Sequence, residues 1–218
     1  MCAIIGVDCK NTEENIYTIH KLFLESKIRG LHATGISFIK EGILNTIKYP
    51  LPADKFLKKY DLSSLLKSEE RIHMIGHCRY STSDIEYNQP ISDNNLSIVH
   101  NGVVTQESYD KWESSYKFNC DTKNDSELIF HYIKCGKDIH DLCAHFPNVS
   151  FAFLTLDIKG NIFAYRNSLR PLWKIERNKD IFYASTQNIL IRSGFNKEEC
   201  IKLYSIDSFE KQNRSMNG

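Results

Sequence analysis

Met1-Cys2-Ala3-Ile4-Ile5-Gly6 opens the chain. A small second residue favours removal of the initiator methionine, and Cys2 would then carry a thiol and a free α-amino group together. The amine can take the thiol proton, so nucleophile and base arrive on one residue. Their ordinary pKa values, about 8.5 and about 7.7–8.0, suit proton exchange near neutrality. Ala3 to Val7 reads as a short apolar strand, which places Cys2 at a strand end. Six residues alone do not separate this reading from a cysteine placed there by chance.

Working outward, Asn11 is expected to cap a helix, with Glu14 reaching back. Ile16, Ile19 and Phe23 then share one helical face, and the helix ends near Ser26. Arg29-Gly30-Leu31-His32-Ala33-Thr34-Gly35 reads as a tight loop. Ile36 to Lys40 and Ile43 to Tyr49 form a hairpin around Glu41-Gly42. Phe56 to Leu66 is expected to be helical, with Lys55, Lys58 and Lys59 outward. Ile72 to Cys78 is a strand and Tyr80 to Asn95 a long polar loop. Leu96 to Val99 is a strand that stops at His100-Asn101-Gly102. Asp125 precedes a helix carrying Leu128, Ile129 and Tyr132, closed by Gly136. A short helix with Ile139, Leu142, Cys143 and Phe146 follows. Strands are expected at 151–156, 162–165, 172–175, 181–184 and 201–206, with a short helix over 186–192. The mix of helices with two groups of strands suits an α+β domain of packed sheets and helices.

The sequence has 218 residues, 41% hydrophobic and 25% charged, with a formal net charge of +1. That length holds a substantial core. The charge balance gives no electrostatic case for a nucleic-acid or membrane partner, and no apolar run approaches a membrane span. Seven scattered cysteines without an export signal read as reduced thiols, so the expected compartment is cytoplasmic. Cys135, His140, Cys143 and His145 cluster in sequence without a usual zinc spacing, and no metal or cofactor is expected. His77 and His100 read as structural histidines.

Six separated stretches, in order, resemble the glutaminase domain of class II glutamine amidotransferases, within the N-terminal nucleophile hydrolases. MCAIIG is similar to the family's Met-Cys-Gly-Ile, and RGLHATG at 29–35 to Arg-Gly-x-Asp-x-x-Gly. GHCRYSTSD at 76–84 resembles Gly-His-x-Arg-[Trp/Tyr]-x-Thr. VHNGVV at 99–104 is similar to the His-Asn-Gly stretch, and NDSELI at 124–129 to Asp-[Thr/Ser]-Glu. RNSLRPLW at 166–173 looks like Arg-Asp-x-x-Gly-x-Arg-Pro-Leu of the amidophosphoribosyltransferase and asparagine synthetase branches. The resemblance departs from the pattern at Ala3 (usually Gly), His32 (commonly Asp) and Tyr80 (often Trp).

The resemblance implies a four-layer αββα sandwich of two mainly antiparallel sheets between helices. It implies hydrolysis of L-glutamine to L-glutamate and ammonia through a thioester on Cys2. Asn101 and Gly102 would form the oxyanion hole, Arg79 and Thr82 would hold the substrate α-carboxylate, and Asp125 its α-ammonium. Arg29 would position the nucleophile. The expected organisation is one domain over 1–210 with a polar tail at 211–218, free-standing and passing ammonia to a separate synthase subunit. Two alternatives stay open: a non-catalytic glutamine-binding regulatory subunit, or a hydrolase of another amide.

Overall fold

The computed structural model describes residues 2–80 and 88–206. Thr82 and the expected tail at 211–218 lie outside the described residues.

The chain order is β1 (Ala3–Lys10), α1 (Glu13–Ser26), β2 (Ala33–Lys40), β3 (Ile43–Tyr49), α2 (Ala53–Lys59), α3 (Leu62–Leu65), β4 (Arg71–Arg79), β5 (Ile91–Ser92) and β6 (Leu96–Val103). It continues with α4 (Trp112–Tyr116), α5 (Ser126–Lys134), α6 (Leu142–His145), β7 (Ser150–Asp157), β8 (Ile162–Arg166), β9 (Trp173–Arg177), β10 (Asp180–Ala184), α7 (Gln187–Arg192) and β11 (Ile201–Lys202). Among the described residues, one sheet runs β11-β9-β10-β1-β4-β2-β3 and the other β5-β6-β7-β8. Every pairing is antiparallel.

Side-chain alternation makes the layers. On β1, Ala3, Ile5, Val7 and Cys9 join a core with Ile19, Leu22 and Phe23 of α1, Phe56 of α2 and Leu190 of α7. Ile4 points the other way, into a core shared with Val99 of β6 and Ala152, Leu154 and Leu156 of β7. On β7 the intervening Phe151 and Phe153 face Leu128, Ile129 and Tyr132 of α5 and Leu142 of α6. Period-two strands buried on both faces therefore build three cores between four layers, an αββα sandwich. This is the fold class expected from the resemblance.

Several local expectations need correction. Thr12, not Asn11, caps α1, its Oγ1 accepting from the Asn15 N–H at 3.2 Å. Asn11 instead donates through Nδ2 to the carbonyls of Leu66 and Glu69 at 2.7 and 2.8 Å. The helix expected over 56–66 is two helices, because Asp61 accepts from the N–H groups of Ser63 and Ser64 and starts a new one. Ala33 to Gly35 are strand rather than loop. His100, Asn101 and Gly102 lie inside β6, not in a turn after it, because β7 continues the ladder to Val103 opposite Ser150. The last strand is only Ile201–Lys202, and β5 and α4 were not expected.

Leu154 is fully buried between the sheets. Leu154→Ala is expected to cost about 2–5 kcal/mol, the range for a buried leucine whose neighbours relax incompletely. The loss reads as a lower urea midpoint with an unchanged m-value.

Candidate active site

The same alternation selects the side chains at one end of the inter-sheet space. Cys2 is two residues before Ile4 and in phase with it. Arg79 is in phase with Ile75 on β4, and Asn101 with Val99 on β6, both members of the inter-sheet core. Cys2, Arg79 and Asn101 thus occupy positions of the facing surfaces, although Arg79 and Asn101 are 22 positions apart in the sequence.

Around Cys2 the contacts are local and specific. Ala3 pairs with Cys78 and Ala33 with Arg79, so Cys2 and Arg79 end neighbouring strands. The Cys2 thiol lies 3.9 Å from the Tyr80 carbonyl. Arg29, at the end of a 3-10 turn, donates through Nε to the Cys2 carbonyl at 3.1 Å. Gly30 allows this, because a Cβ there would sit 2.1 Å from the Cys78 carbonyl oxygen. The His32 N–H donates to the Arg79 carbonyl at 3.0 Å, and its ring lies 4.7 Å from that of Tyr80.

The second half of the site belongs to the other sheet. Asn101 is 4% exposed, and its Nδ2 is buried without a hydrogen-bond partner among the described residues. Gly102 follows where no side chain fits, since a Cβ would meet the Ser150 carbonyl oxygen at 1.8 Å. Asp125 immediately precedes α5. Its Oδ2 accepts from the N–H groups of Val104 and Thr105 at 2.6 and 3.4 Å, which fastens the carboxylate to the end of β6. No bond to its Oδ1 is found among the described residues.

Arg170 lies near both halves. It donates through Nε to the Ser150 hydroxyl at 3.2 Å, and its charge acts on both Arg29 and His100. The expected positions fall in two groups, Cys2, Arg29 and Arg79 on one sheet's side and Asn101, Gly102 and Asp125 on the other's; Thr82 is outside the described residues. A surface groove of about 820 Å³ lies along α1 and α3, lined by Ile16, Tyr17, His20 and Leu24, and contains none of these residues.

Behind the mostly half-buried site residues, His77 and His100 are fully buried. Burial, with Arg79 and His100 nearby, pushes His77 down to about 3. Asn88 and the His100 backbone are close enough to favour its charged form slightly, but neither ring nitrogen has a partner at hydrogen-bond distance and angle. Burial also lowers His100, against the opposing pull of Asp125. Burial thus disfavours the charged form of both rings; His100 has a partner at each ring nitrogen and His77 at neither. Burial pushes Cys9, Cys78 and Cys120 up to about 12.

Sequence reasoning missed several residues. Glu127 is 4% exposed and accepts from the N–H groups of Asp121 and Thr122 and from the Thr122 hydroxyl, at 2.8, 2.8 and 2.6 Å. It fixes the loop before α5. Cys120 and His131 lie near it, their ligand atoms within 4.8 Å of one another. Gln89, Ser126 and Ser150 form hydrogen bonds behind Asn101. Of these, only Glu127 and Ser126 sat in a quoted motif, without an assigned role.

No family model and no curated protein matches the sequence. Among solved structures, the chain is similar to glutamine phosphoribosylpyrophosphate amidotransferase from B. subtilis, complexed with ADP and GMP. The identity is 21%, the TM-score 0.65, and 93% of this chain and 49% of that chain are covered. It is also similar to a structure described as the allosteric regulatory enzyme of purine biosynthesis, at 22% identity and TM-score 0.65, covering 93% and 44%. The chain spans about half the length of these structures.

Two measurements test the site environment. Alkylation of the native chain at pH 8, mapped by peptide mass, is expected to modify exposed Cys135 and spare Cys9, Cys78 and Cys120 until denaturant is added. The second follows from His77. Between its ordinary 6.5 and about 3, the unfolded chain holds a proton that folded His77 excludes, so stability falls as pH falls through that window. His77→Gln is expected to flatten that slope, by at most about 1.4 kcal/mol per pH unit, in urea titrations at stepped pH.

At these identities the likeness is one of fold: the chain shares the αββα sandwich of those two structures.

Proposed function

We propose that this chain is a class II glutamine amidotransferase glutaminase domain, hydrolysing L-glutamine to L-glutamate and ammonia. The observation that carries the reading is the buried, unpartnered Asn101 Nδ2 at the Cys2 end of the inter-sheet space. A buried donor left unmatched costs about 1–3 kcal/mol. That cost is recovered if an acceptor appears there during reaction, as the oxygen of a tetrahedral intermediate does.

In this reading Met1 is removed and the α-amine of Cys2 takes the thiol proton. The sulfur attacks the substrate side-chain amide carbon, and Asn101 Nδ2 with the Gly102 N–H holds the oxygen as it gains charge. The intermediate collapses, the amine returns its proton to the leaving nitrogen, and ammonia departs. Water, deprotonated by the same amine, then opens the γ-glutamyl thioester to glutamate. Arg79, aided by Thr82, pairs with the α-carboxylate, and a guanidinium can do so with two parallel bonds. Asp125 receives the α-ammonium on Oδ1, since Oδ2 is engaged by backbone. Arg29 positions Cys2 through its carbonyl. Ammonia passes to an acceptor synthase.

The departures from the family pattern fit this reading. Ala3 is fully buried in the core toward α1, so its methyl points away from the site. His32 fastens the loop through its backbone and its contact with Tyr80, where an aspartate would use its side chain. The opposite charges of Arg79 and Asp125 suit an α-amino acid better than a simple amide.

Glutamate release by the processed chain tests the proposal. Cys2→Ala is expected to abolish it, and Asn101→Ala to lower kcat by about 10²–10³. A processed chain that forms no glutamate, or a Cys2→Ala variant as active as its parent, contradicts the reading.

A further inference from the structure

Behind the strand that carries Asn101 and Gly102 lies a chain of hydrogen bonds. Gln89, His100, Ser126 and Ser150 are 5%, 1%, 2% and 8% exposed. The His100 N–H donates to Gln89 Oε1 at 2.6 Å, which orients that amide. Its NH2 then faces Ser126 Oγ at 3.0 Å and donates to it. Ser126 Oγ lies 2.8 Å from His100 Nδ1. The other ring nitrogen, Nε2, lies 3.3 Å from the Ser150 carbonyl oxygen, which can only accept. The two ends of the chain agree. Nε2 must carry the proton, and Nδ1 must accept the Ser126 O–H.

This chain reaches the reacting groups without touching substrate. His100 precedes Asn101 and lies on the opposite face of β6. A Cβ on Gly102 would be 2.7 Å from His100 Nε2 and 1.8 Å from the Ser150 carbonyl oxygen, so both pack directly against the Gly102 backbone. Ser126 follows Asp125, and those two neighbours fasten β6 at two places: Ser126 through His100, and Asp125 through Val104 and Thr105. The ends that would hold the substrate ammonium and the developing oxyanion are thereby set relative to each other.

We propose that His100, fixed as its Nε2–H tautomer by the Gln89–Ser126 relay, is a positioning residue for the oxyanion hole. The inference rests on the glutaminase reading above. Removing Ser126 Oγ frees the ring to turn or change tautomer, and Asn101 and Gly102 shift against Asp125. Misplacement of this kind weakens transition-state contacts more than ground-state binding.

The test compares Ser126→Ala with Ser126→Thr in the full processed chain. For Ser126→Ala, kcat is expected to fall about tenfold or more. KM for glutamine is expected to stay within about twofold. Ser126→Thr, which keeps a hydroxyl, should restore most of the loss. Long-range ¹H–¹⁵N spectra of the imidazoles should show His100 as Nε2–H in the wild type and as a mixture in Ser126→Ala. A kcat within about twofold of wild type in Ser126→Ala overturns the proposal. So does a fall in kcat that Ser126→Thr fails to restore, or an Nδ1–H tautomer in the wild type. A wild type that releases no glutamate yet shows the Nε2–H tautomer overturns the glutaminase reading, and the catalytic role with it, while the hydrogen-bond chain itself stands.

Discussion

Where β1 and β4 press against β6 and β7, every second side chain belongs to the space between the sheets. Ile4, Ile75, Val99 and Leu154 fill its middle. At one end the same alternation continues with Cys2, Arg79 and Asn101, and an apolar core becomes a polar site. A one-residue slip of β1 against β4 would turn Cys2 toward the helices. The eight paired positions from Ala3–Cys78 to Lys10–Arg71 make such a slip expensive. The helix-facing core, with Phe23, Phe56 and Leu190, matters to chemistry because it holds that register.

Polar atoms near the site are secured by backbone rather than by partner charges. Asp125 is held by two N–H groups, Glu127 by two more and a hydroxyl, and Arg29 reaches a carbonyl. Backbone donors are rigid, so the loop before α5 and the end of β6 are fixed before any ligand arrives. Against that background the Nδ2 of Asn101 is a buried donor without a hydrogen bond among the described residues, as are the Nδ2 of Asn88 and the ring nitrogens of His77 behind it. Ala3 and His32 are absorbed by the same scaffold, one pointing into the helix-facing core and the other bonding through its main chain.

Much of this was readable in the sequence. The short apolar run of Ala3 to Val7 gave β1, the Glu41-Gly42 turn gave the hairpin, and the spacing of Leu128, Ile129 and Tyr132 gave α5. The site positions came from motif resemblance, since no periodicity connects residue 2 with residues 79 and 101. Elsewhere local signals misled. Asn101-Gly102 has the composition of a turn, but pairing with β7 overrides that preference. Asn11 looks like a cap, yet its side chain is taken by two distant carbonyls. The Gln89–Ser126–His100 relay was invisible, because it is made by partners 11, 26 and 37 positions apart.

The central claim is that the thiol of Cys2, freed of Met1 and facing Asn101 across the sheets, is the nucleophile for an α-amino-acid amide. Intact mass of the purified chain, with and without a glutamine-analogue electrophile such as a diazoketone, addresses it directly. The account predicts a mass lacking Met1, one adduct per chain mapping to Cys2, and protection by excess L-glutamine. Retained Met1, or an adduct on another cysteine that glutamine does not suppress, would contradict it.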